Sequence, residues 1–230
     1  MGAFFEGETI MKTMILAAGR GERMRPLTDK IPKPLIEVSG KALIVWHIEK
    51  LALLGFSEIV VNVAHLGGKI MESLGDGSAW DVRLLYSDER ESGALESAGG
   101  IVKALPLLED ETFLVVNGDI WCDYEFERDF MLGEDLAHLV LVPNPPHNPD
   151  GDFGLHKNRV VNEADKKFTF SGIGYYSAKL FNTLECAKLP LAPLLRQAAS
   201  QNRVSGQIYE GKWHDIGTPQ RLSEAEATSV

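Results

Sequence analysis

Cysteine is scarce in this 230-residue sequence, which contains only Cys122 and Cys186. The two lie far apart and in no metal-binding spacing, so the sequence predicts reduced thiols and excludes a disulfide-stapled scaffold. Residues 1–10 lack the basic start and the long apolar stretch of a secretory signal. We therefore expect a cytoplasmic protein, in which residues 1–10 form an N-terminal extension or a start-site artefact.

Long hydrophobic runs and an excess of positive charge are missing as well. No apolar run reaches the roughly 18 residues that a membrane-spanning helix needs. The formal net charge is −10, so the bulk of the surface attracts neither nucleic acid nor anionic lipid. We expect no nucleic acid and no membrane among the partners, and any anionic ligand must bind to a local basic cluster.

Short apolar strands alternate with amphipathic helical segments along the first half of the chain. Strand patterns occupy residues 11–17, 58–63, 82–86 and 112–117, and helical patterns occupy residues 42–54, 69–74 and 97–105. After residue 134, further strand patterns occupy residues 136–142, 154–161, 167–176 and 203–209, and helical patterns occupy residues 191–199 and 219–227. This alternation predicts an α/β fold with a mostly parallel central sheet that the second half extends.

A loop rich in glycine and arginine follows the first strand pattern. Between Arg20 and Lys33 it holds five basic and two acidic residues, a local reversal of the charge of the whole chain. The loop fits neither of two common phosphate-binding motifs: Met24 stands where the dinucleotide fingerprint needs a third glycine, and Gly68-Lys69 is followed by Ile70 instead of the Walker serine or threonine. The remaining interpretations are a solvated strand–loop or a site for another anionic ligand.

Residues 17–28 (AAGRGERMRPLT) and 32–35 (PKPL) resemble the N-terminal motif of the sugar-1-phosphate nucleotidyltransferases. Glu22 and Met24 replace a threonine and a leucine of the usual motif, as in the branch of N-acetylmuramate-1-phosphate uridylyltransferases. The resemblance covers nearly the whole chain. It implies a three-layer, Rossmann-like fold in a single domain, 11–230, with a nucleotide-binding part at about 11–134 and a sugar-binding part at about 135–230.

The resemblance also implies roles for individual residues at the nucleotide. Arg23 is expected to bind the β and γ phosphates, because its planar guanidinium pairs with two oxygens at once. Lys33 is expected to contact the α-phosphate. The remaining nucleotide contacts implied are Leu16, Ala17, Ala18, Gly19, Gly21, Ser97, Gly99 and Asn117. Ser97 and Gly99 stand in a small-residue segment that also reads as an ordinary helix cap.

Two aspartates in distant segments are candidate metal ligands. Asp119 follows a buried strand pattern in the sequence Asn-Gly-Asp, which is also common in turns, and Asp215 lies near the end of the chain. The resemblance implies that Asp119 and Asp215 together hold Mg²⁺, which prefers a few carboxylates and phosphate oxygens. The six histidines show no metal-binding spacing, and His47 lies on an apolar helix face, as a packed core residue does.

The sugar end is less clearly marked. Asp152 and Gly172 match sugar-side positions of the branch, although Asp152 also fits a simple turn residue. The lysine that commonly holds the sugar phosphate in the family has no counterpart here, and Lys166, Lys167 or Lys188 remain as substitutes.

The implied reaction joins UTP to a sugar 1-phosphate, N-acetyl-α-muramate 1-phosphate in the branch that serves bacterial peptidoglycan recycling. It is expected in a monomer or a small homo-oligomer. Mannose 1-phosphate with GTP, glucose 1-phosphate with dTTP and a non-catalytic sugar-nucleotide sensor remain as alternatives. The sensor is disfavoured because Arg23, Lys33, Asp119 and Asp215 are all present.

Overall fold

The computed structural model describes residues 11–109 and 111–228, so the prediction for residues 1–10 lies outside the described part. Its helices are α1 (Leu43–Leu53), α2 (Gly67–Leu74), α3 (Glu96–Leu108), α4 (Leu191–Ser200) and α5 (Pro219–Thr228). Its strands are β1 (Thr13–Leu16), β2 (Glu37–Val38), β3 (Lys41–Ala42), β4 (Glu58–Val63), β5 (Arg83–Asp88), β6 (Thr112–Asn117), β7 (Ile120–Cys122), β8 (Ala137–Val142), β9 (Phe153–His156), β10 (Arg159–Val161), β11 (Lys167–Ser177), β12 (Val204–Ile208) and β13 (Trp213–Asp215).

Nine strands form one mixed sheet in the order β5-β4-β1-β6-β11-β8-β12-β10-β9. The first four are parallel neighbours, and only β10 and β11 run against the other strands of this sheet. The second half of the chain therefore extends the sheet of the first half, and the predicted α/β fold with a mostly parallel sheet is confirmed.

Helices cover both faces of the sheet, which gives the three predicted layers. Because successive side chains of a strand point to opposite faces, neighbouring residues of β1 enter different cores. Ile15 packs in the core that contains Ile44 and Ile48 of α1. Met14 packs in the core that contains Ile101 of α3. Among the described residues, no helix has the length and apolar character that crossing a membrane requires.

One sequence interpretation needs correction. Residues 154–161 do not form one strand: they turn at Lys157, which has a positive φ of 56°, and the chain returns as β10 beside β9. The glycine-arginine loop contains three short 3-10 helices at Glu22–Met24, Leu27–Asp29 and Lys33–Leu35. Both cysteines are free thiols, as predicted.

The strand order brings distant residues to one edge of the sheet. Leu16 at the end of β1 lies beside Asn62 of β4 and Asn117 of β6. All three strands are parallel, so their carboxyl ends open on the same side, where ligands bind in open α/β sheets.

Candidate active site

A cavity of about 350 Å³, the first cavity, lies over the carboxyl ends of β1 and β6. Most of the predicted nucleotide contacts meet there. Its lining includes Leu16, Ala17, Ala18, Gly19, Lys33, Ser97, Asn117 and Asp119. Two further cavities adjoin it and share Asn117: the second cavity of about 190 Å³ and the third cavity of about 410 Å³. Asn117 is thus common to all three chambers of one cleft.

A buried hydrogen-bond network fixes the two loops that form the walls of the first cavity. Asn62 Oδ1 accepts a hydrogen bond from the Ala17 amide at 2.7 Å, and Asn62 Nδ2 donates one to Glu89 Oε1 at 2.7 Å. Glu89 Oε2 accepts from the Leu95 amide at 2.8 Å. A methyl group at Gly100 would lie 2.9 Å from Glu89 Oε1, so only glycine fits there. Sequence reasoning missed this network, because its members meet only when β4 pairs with β1.

Lys33 is held inside the first cavity beside a carboxylate. Its Nζ lies 2.5 Å from Asp119 Oδ2, and its side chain is 9% exposed. Gly21 leaves room for the Lys33 side chain, because a methyl group at position 21 would lie 2.9 Å from Thr28 and 3.2 Å from Lys33. The positive φ of 64° at Gly21 also favours glycine. Gly21 therefore allows the loop conformation that positions Lys33 in the first cavity.

A second, two-stranded sheet brings the two candidate metal ligands together. β7 pairs antiparallel with β13, which sets Asp215 opposite Ile120, and the Ile216 amide donates to the Asp119 carbonyl at 2.9 Å. Both aspartates line the second cavity. Sequence reasoning did not find β7 or β13, because three-residue strands carry too little pattern.

The carboxylate of Asp215 is only half satisfied. Arg221 Nη1 donates to Asp215 Oδ2 at 2.7 Å, whereas Asp215 Oδ1 is buried and has no hydrogen-bond partner among the residues that the structure describes. A buried carboxylate oxygen without a partner is unfavourable unless something binds it. Within residues 11–109 and 111–228, no cluster of three or more His, Cys, Asp or Glu side chains suits a metal. The donor set thus fits an ion that takes a few carboxylates and completes its shell elsewhere, as Mg²⁺ does.

Arg23 lies on the Asp215 side of the cleft, away from the first cavity. Its Nη2 would be 3.1 Å from a methyl group at Gly217, in the loop that follows β13. The side chain is exposed to solvent. The structure therefore places Arg23 next to the loop that follows β13, and Lys33 in the first cavity beside Asp119.

The start of α3 differs from the predicted base-binding helix end. Ser97 lines the first cavity as expected. The amides of Ala98 and Gly99, however, both donate to the Leu189 carbonyl, at 3.0 and 3.1 Å. Gly99 is buried, and a methyl group there would collide with the Ala187 carbonyl. The position of Gly99 favours a packing role over the predicted nucleotide contact.

The two predicted sugar-side residues differ in their relation to the third cavity, and each also serves the fold. Asp152 lines it, and its Oδ2 accepts a hydrogen bond from the Phe170 amide at 2.8 Å. Gly172 has a φ of 84° and lies at a register shift in β11. A methyl group at Gly172 would be 2.6 Å from Asn117 Nδ2, so this glycine allows Asn117 to reach the cleft.

Of the three candidate lysines for the sugar phosphate, only Lys188 lines the first cavity. Lys166 lies over the Phe168 ring at 4.9 Å. Lys167 pairs with Glu163 at 3.0 Å. The structure thus reduces the choice that the sequence left open.

The comparisons with known proteins agree with this arrangement. The model of the nucleotidyl transferase family matches residues 12–229. The chain is 53% identical to the N-acetylmuramate alpha-1-phosphate uridylyltransferase of Neisseria meningitidis, over 94% of this chain and 97% of that protein. Its identity to the Caulobacter vibrioides enzyme of the same name is 32%, over 93% and 95% of the two chains.

A solved structure from Bacillus anthracis, in complex with a sucrose, shares the fold. Its TM-score is 0.83 at 21% identity, and the match covers 94% of each chain. This confirms the Rossmann-like nucleotidyltransferase architecture. Because the family model and the two sequence relatives each match more than nine-tenths of its length, the chain belongs to the nucleotidyl transferase family.

Proposed function

We propose that this chain is a uridylyltransferase that converts UTP and N-acetyl-α-muramate 1-phosphate to the UDP-sugar and pyrophosphate, in the recycling of peptidoglycan. The observation that carries the proposal is the 53% identity, over almost the full length of both chains, to the uridylyltransferase of that name. The cleft supports it, because Lys33, Asp119 and Asp215 meet at the carboxyl edge of the sheet.

The chemistry needs no activated side-chain nucleophile, because the sugar phosphate is itself an anionic nucleophile. Its oxygen attacks the α-phosphorus of UTP, the bond from that phosphorus to the bridging oxygen breaks, and pyrophosphate leaves. Lys33 stabilises the negative charge that builds at the α-phosphate, and Arg23 binds the β and γ phosphates. Catalysis then consists of positioning and charge neutralisation.

Asp119 and Asp215 would hold Mg²⁺, with the buried Asp215 Oδ1 as one donor. When bound, the ion supplies neutralisation of charge on the phosphate oxygens. Arg221 and Lys33 each pair with one of these carboxylates, which limits the repulsion between the two aspartates. Lys188, at the mouth of the first cavity, holds the phosphate of the sugar, and Asp152 and Gly172 border the ring.

The proposal is tested by pyrophosphate release over a grid of four nucleoside triphosphates and several sugar 1-phosphates with Mg²⁺. We expect the highest kcat/KM for UTP with muramate phosphate. A higher value for GTP with mannose 1-phosphate, or for dTTP with glucose 1-phosphate, would refute the specific substrates. Pyrophosphate release from no pair would refute catalysis and favour a sensor.

The metal site is tested by Asp215→Asn, with Asp81→Asn as the control. Asp81 lies exposed in the turn before β5, far from the cleft. We expect Asp215→Asn to lower kcat on the order of 100-fold and to abolish the Mg²⁺-dependent rise in melting temperature that nucleotide-bound wild type shows. Equal Mg²⁺ stabilisation in wild type and Asp215→Asn would contradict the assignment.

A further inference from the structure

Among the described residues that line the third cavity, one side chain is cationic. Glu96 and Asp152 line it and are acidic, whereas Arg196 of α4 is basic. The carboxylate of Asp152 is engaged by the Phe170 amide, and Glu96 lies 3.5 Å from Lys188 at the border with the first cavity. Of the described residues in this chamber, Arg196 is therefore the one with a positive charge to offer an anion.

Arg196 is exposed to solvent, and its side chain and its backbone each make one contact with the neighbouring strands. Its guanidinium carbon lies 5.0 Å from the centre of the Phe153 ring, which is buried. Such a contact with an aromatic face is favourable and leaves the N–H groups of a guanidinium able to bind an anion. The Arg196 carbonyl accepts a hydrogen bond from Asn162 Nδ2 at 2.9 Å, which ties this turn of α4 to the strand side.

No acidic side chain pairs with Arg196 among the residues that the structure describes, although the chain has ten more acidic than basic residues. Two other cations of the cleft are engaged: Lys33 pairs with Asp119, and Arg221 pairs with Asp215. An exposed arginine that lies over an aromatic ring and has no carboxylate partner among the described residues is available to bind a carboxylate of the substrate through two parallel hydrogen bonds.

The substrate of the proposed function carries such a group. N-acetylmuramate is N-acetylglucosamine with a lactyl ether on its ring, and the lactyl unit ends in a carboxylate. In a chamber that otherwise contains Glu96 and Asp152, this carboxylate would be repelled without a cation. We propose that Arg196 is a specificity-determining residue that binds the lactyl carboxylate and so selects the acidic sugar. This inference rests on the proposed function.

The test compares two sugar phosphates that differ only in the lactyl group. We measure kcat/KM with UTP for muramate 1-phosphate and for N-acetylglucosamine 1-phosphate, in wild type, Arg196→Gln and Arg196→Lys. We expect Arg196→Gln to lower the ratio of the two values about 10- to 100-fold, the range for a hydrogen-bonded charge pair. Arg196→Lys keeps the positive charge but loses the two-pronged guanidinium. Its ratio is therefore expected to lie between the ratios of wild type and Arg196→Gln.

The matched control is Arg83→Gln, which removes the same charge at an exposed position on β5, at the opposite edge of the sheet. Its ratio is expected to equal that of wild type. A second measurement needs no variant: wild type should use the methyl ester of the lactyl group about tenfold less well than the free acid.

The outcomes separate the two proposals. An equal fall for both sugars in Arg196→Gln, an unchanged ratio, or equal use of acid and ester by wild type overturns the role of Arg196 and leaves the proposed function intact. If wild type turns over another pair but not muramate phosphate, the proposed function fails and the role of Arg196 fails with it.

Discussion

The contact between α1 and the two-stranded sheet of β7 and β13 is expected to make the stability of the folded protein sensitive to acid. His47 is buried, and its Nε2 lies 2.8 Å from the carbonyl oxygen of Ile120, so this nitrogen carries the proton that it donates. Burial lowers the pKa of His47 from 6.5 to about 4. Protonation of the ring puts a charge in an apolar core, next to the strand that follows Asp119.

The sign and size of the effect follow from proton linkage. The pKa of His47 is lower in the folded than in the unfolded chain, so its contribution is fully present above pH 6.5 and is lost as the pH falls toward 4. Between about pH 7 and about pH 5, this one group is expected to remove about 2 kcal/mol from the free energy of unfolding.

The assay is urea unfolding followed by tryptophan fluorescence at several pH values in this window, for wild type and His47→Gln. The glutamine amide can donate to the Ile120 carbonyl without titrating. We therefore expect His47→Gln to be less stable than wild type near neutral pH, but to lose about 2 kcal/mol less on acidification. His156 is exposed, so His156→Gln serves as the control and should keep the wild-type pH dependence.

Comparing the pH dependences removes the contributions of carboxylates, which titrate in both proteins. If wild type and His47→Gln lose the same free energy of unfolding between neutral and mildly acidic pH, the role assigned to His47 is wrong. A parallel downward shift of the whole curve would show that the substitution affects packing only.

Two further substitutions test how the cleft is shaped. Gly172→Ala forces a side chain at a φ of 84° against Asn117, and we expect about 1–2 kcal/mol lower stability and on the order of tenfold lower kcat/KM, measured by thermal unfolding and pyrophosphate release. An unchanged KM for both substrates would contradict the position of Asn117 in the cleft. Glu89→Gln offers only one acceptor to Asn62 and Leu95, so it should cost about 1–3 kcal/mol in urea unfolding. Wild-type stability in this variant would show that the network is not needed.

The sequence predicts those parts of the fold that rest on local pattern. The apolar runs of β4 and β6 are long enough to show that both faces are covered, and α1 has clear helical spacing. The hairpin between β9 and β10 was missed because Lys157 and Asn158 form its turn without a glycine or proline to mark it. Short strands and turns of this kind depend on their neighbours more than on their own sequence.

The candidate site divides in the same way. Residues of the long motif, such as Ala17 and Lys33, fall together in the first cavity, because one contiguous loop carries them. Asn62 and Glu89 are recognisable only from the register of β4, and their isolated positions gave no indication of a network. Gly99 shows what a local pattern leaves out, since this glycine at the start of α3 also packs against Ala187.

The pairing of β7 with β13 has a consequence for the protein during its synthesis. Asp119 and Asp215 are separated by nearly one hundred residues, which a ribosome adds in about 5 to 20 s. During that interval the growing chain can already order the parallel strands around β1, but it lacks the strand that aligns the second carboxylate. A nascent chain that ends between these two aspartates would have the nucleotide pocket with Asp119 but without Asp215. Its activity would therefore begin only after β13 has been made.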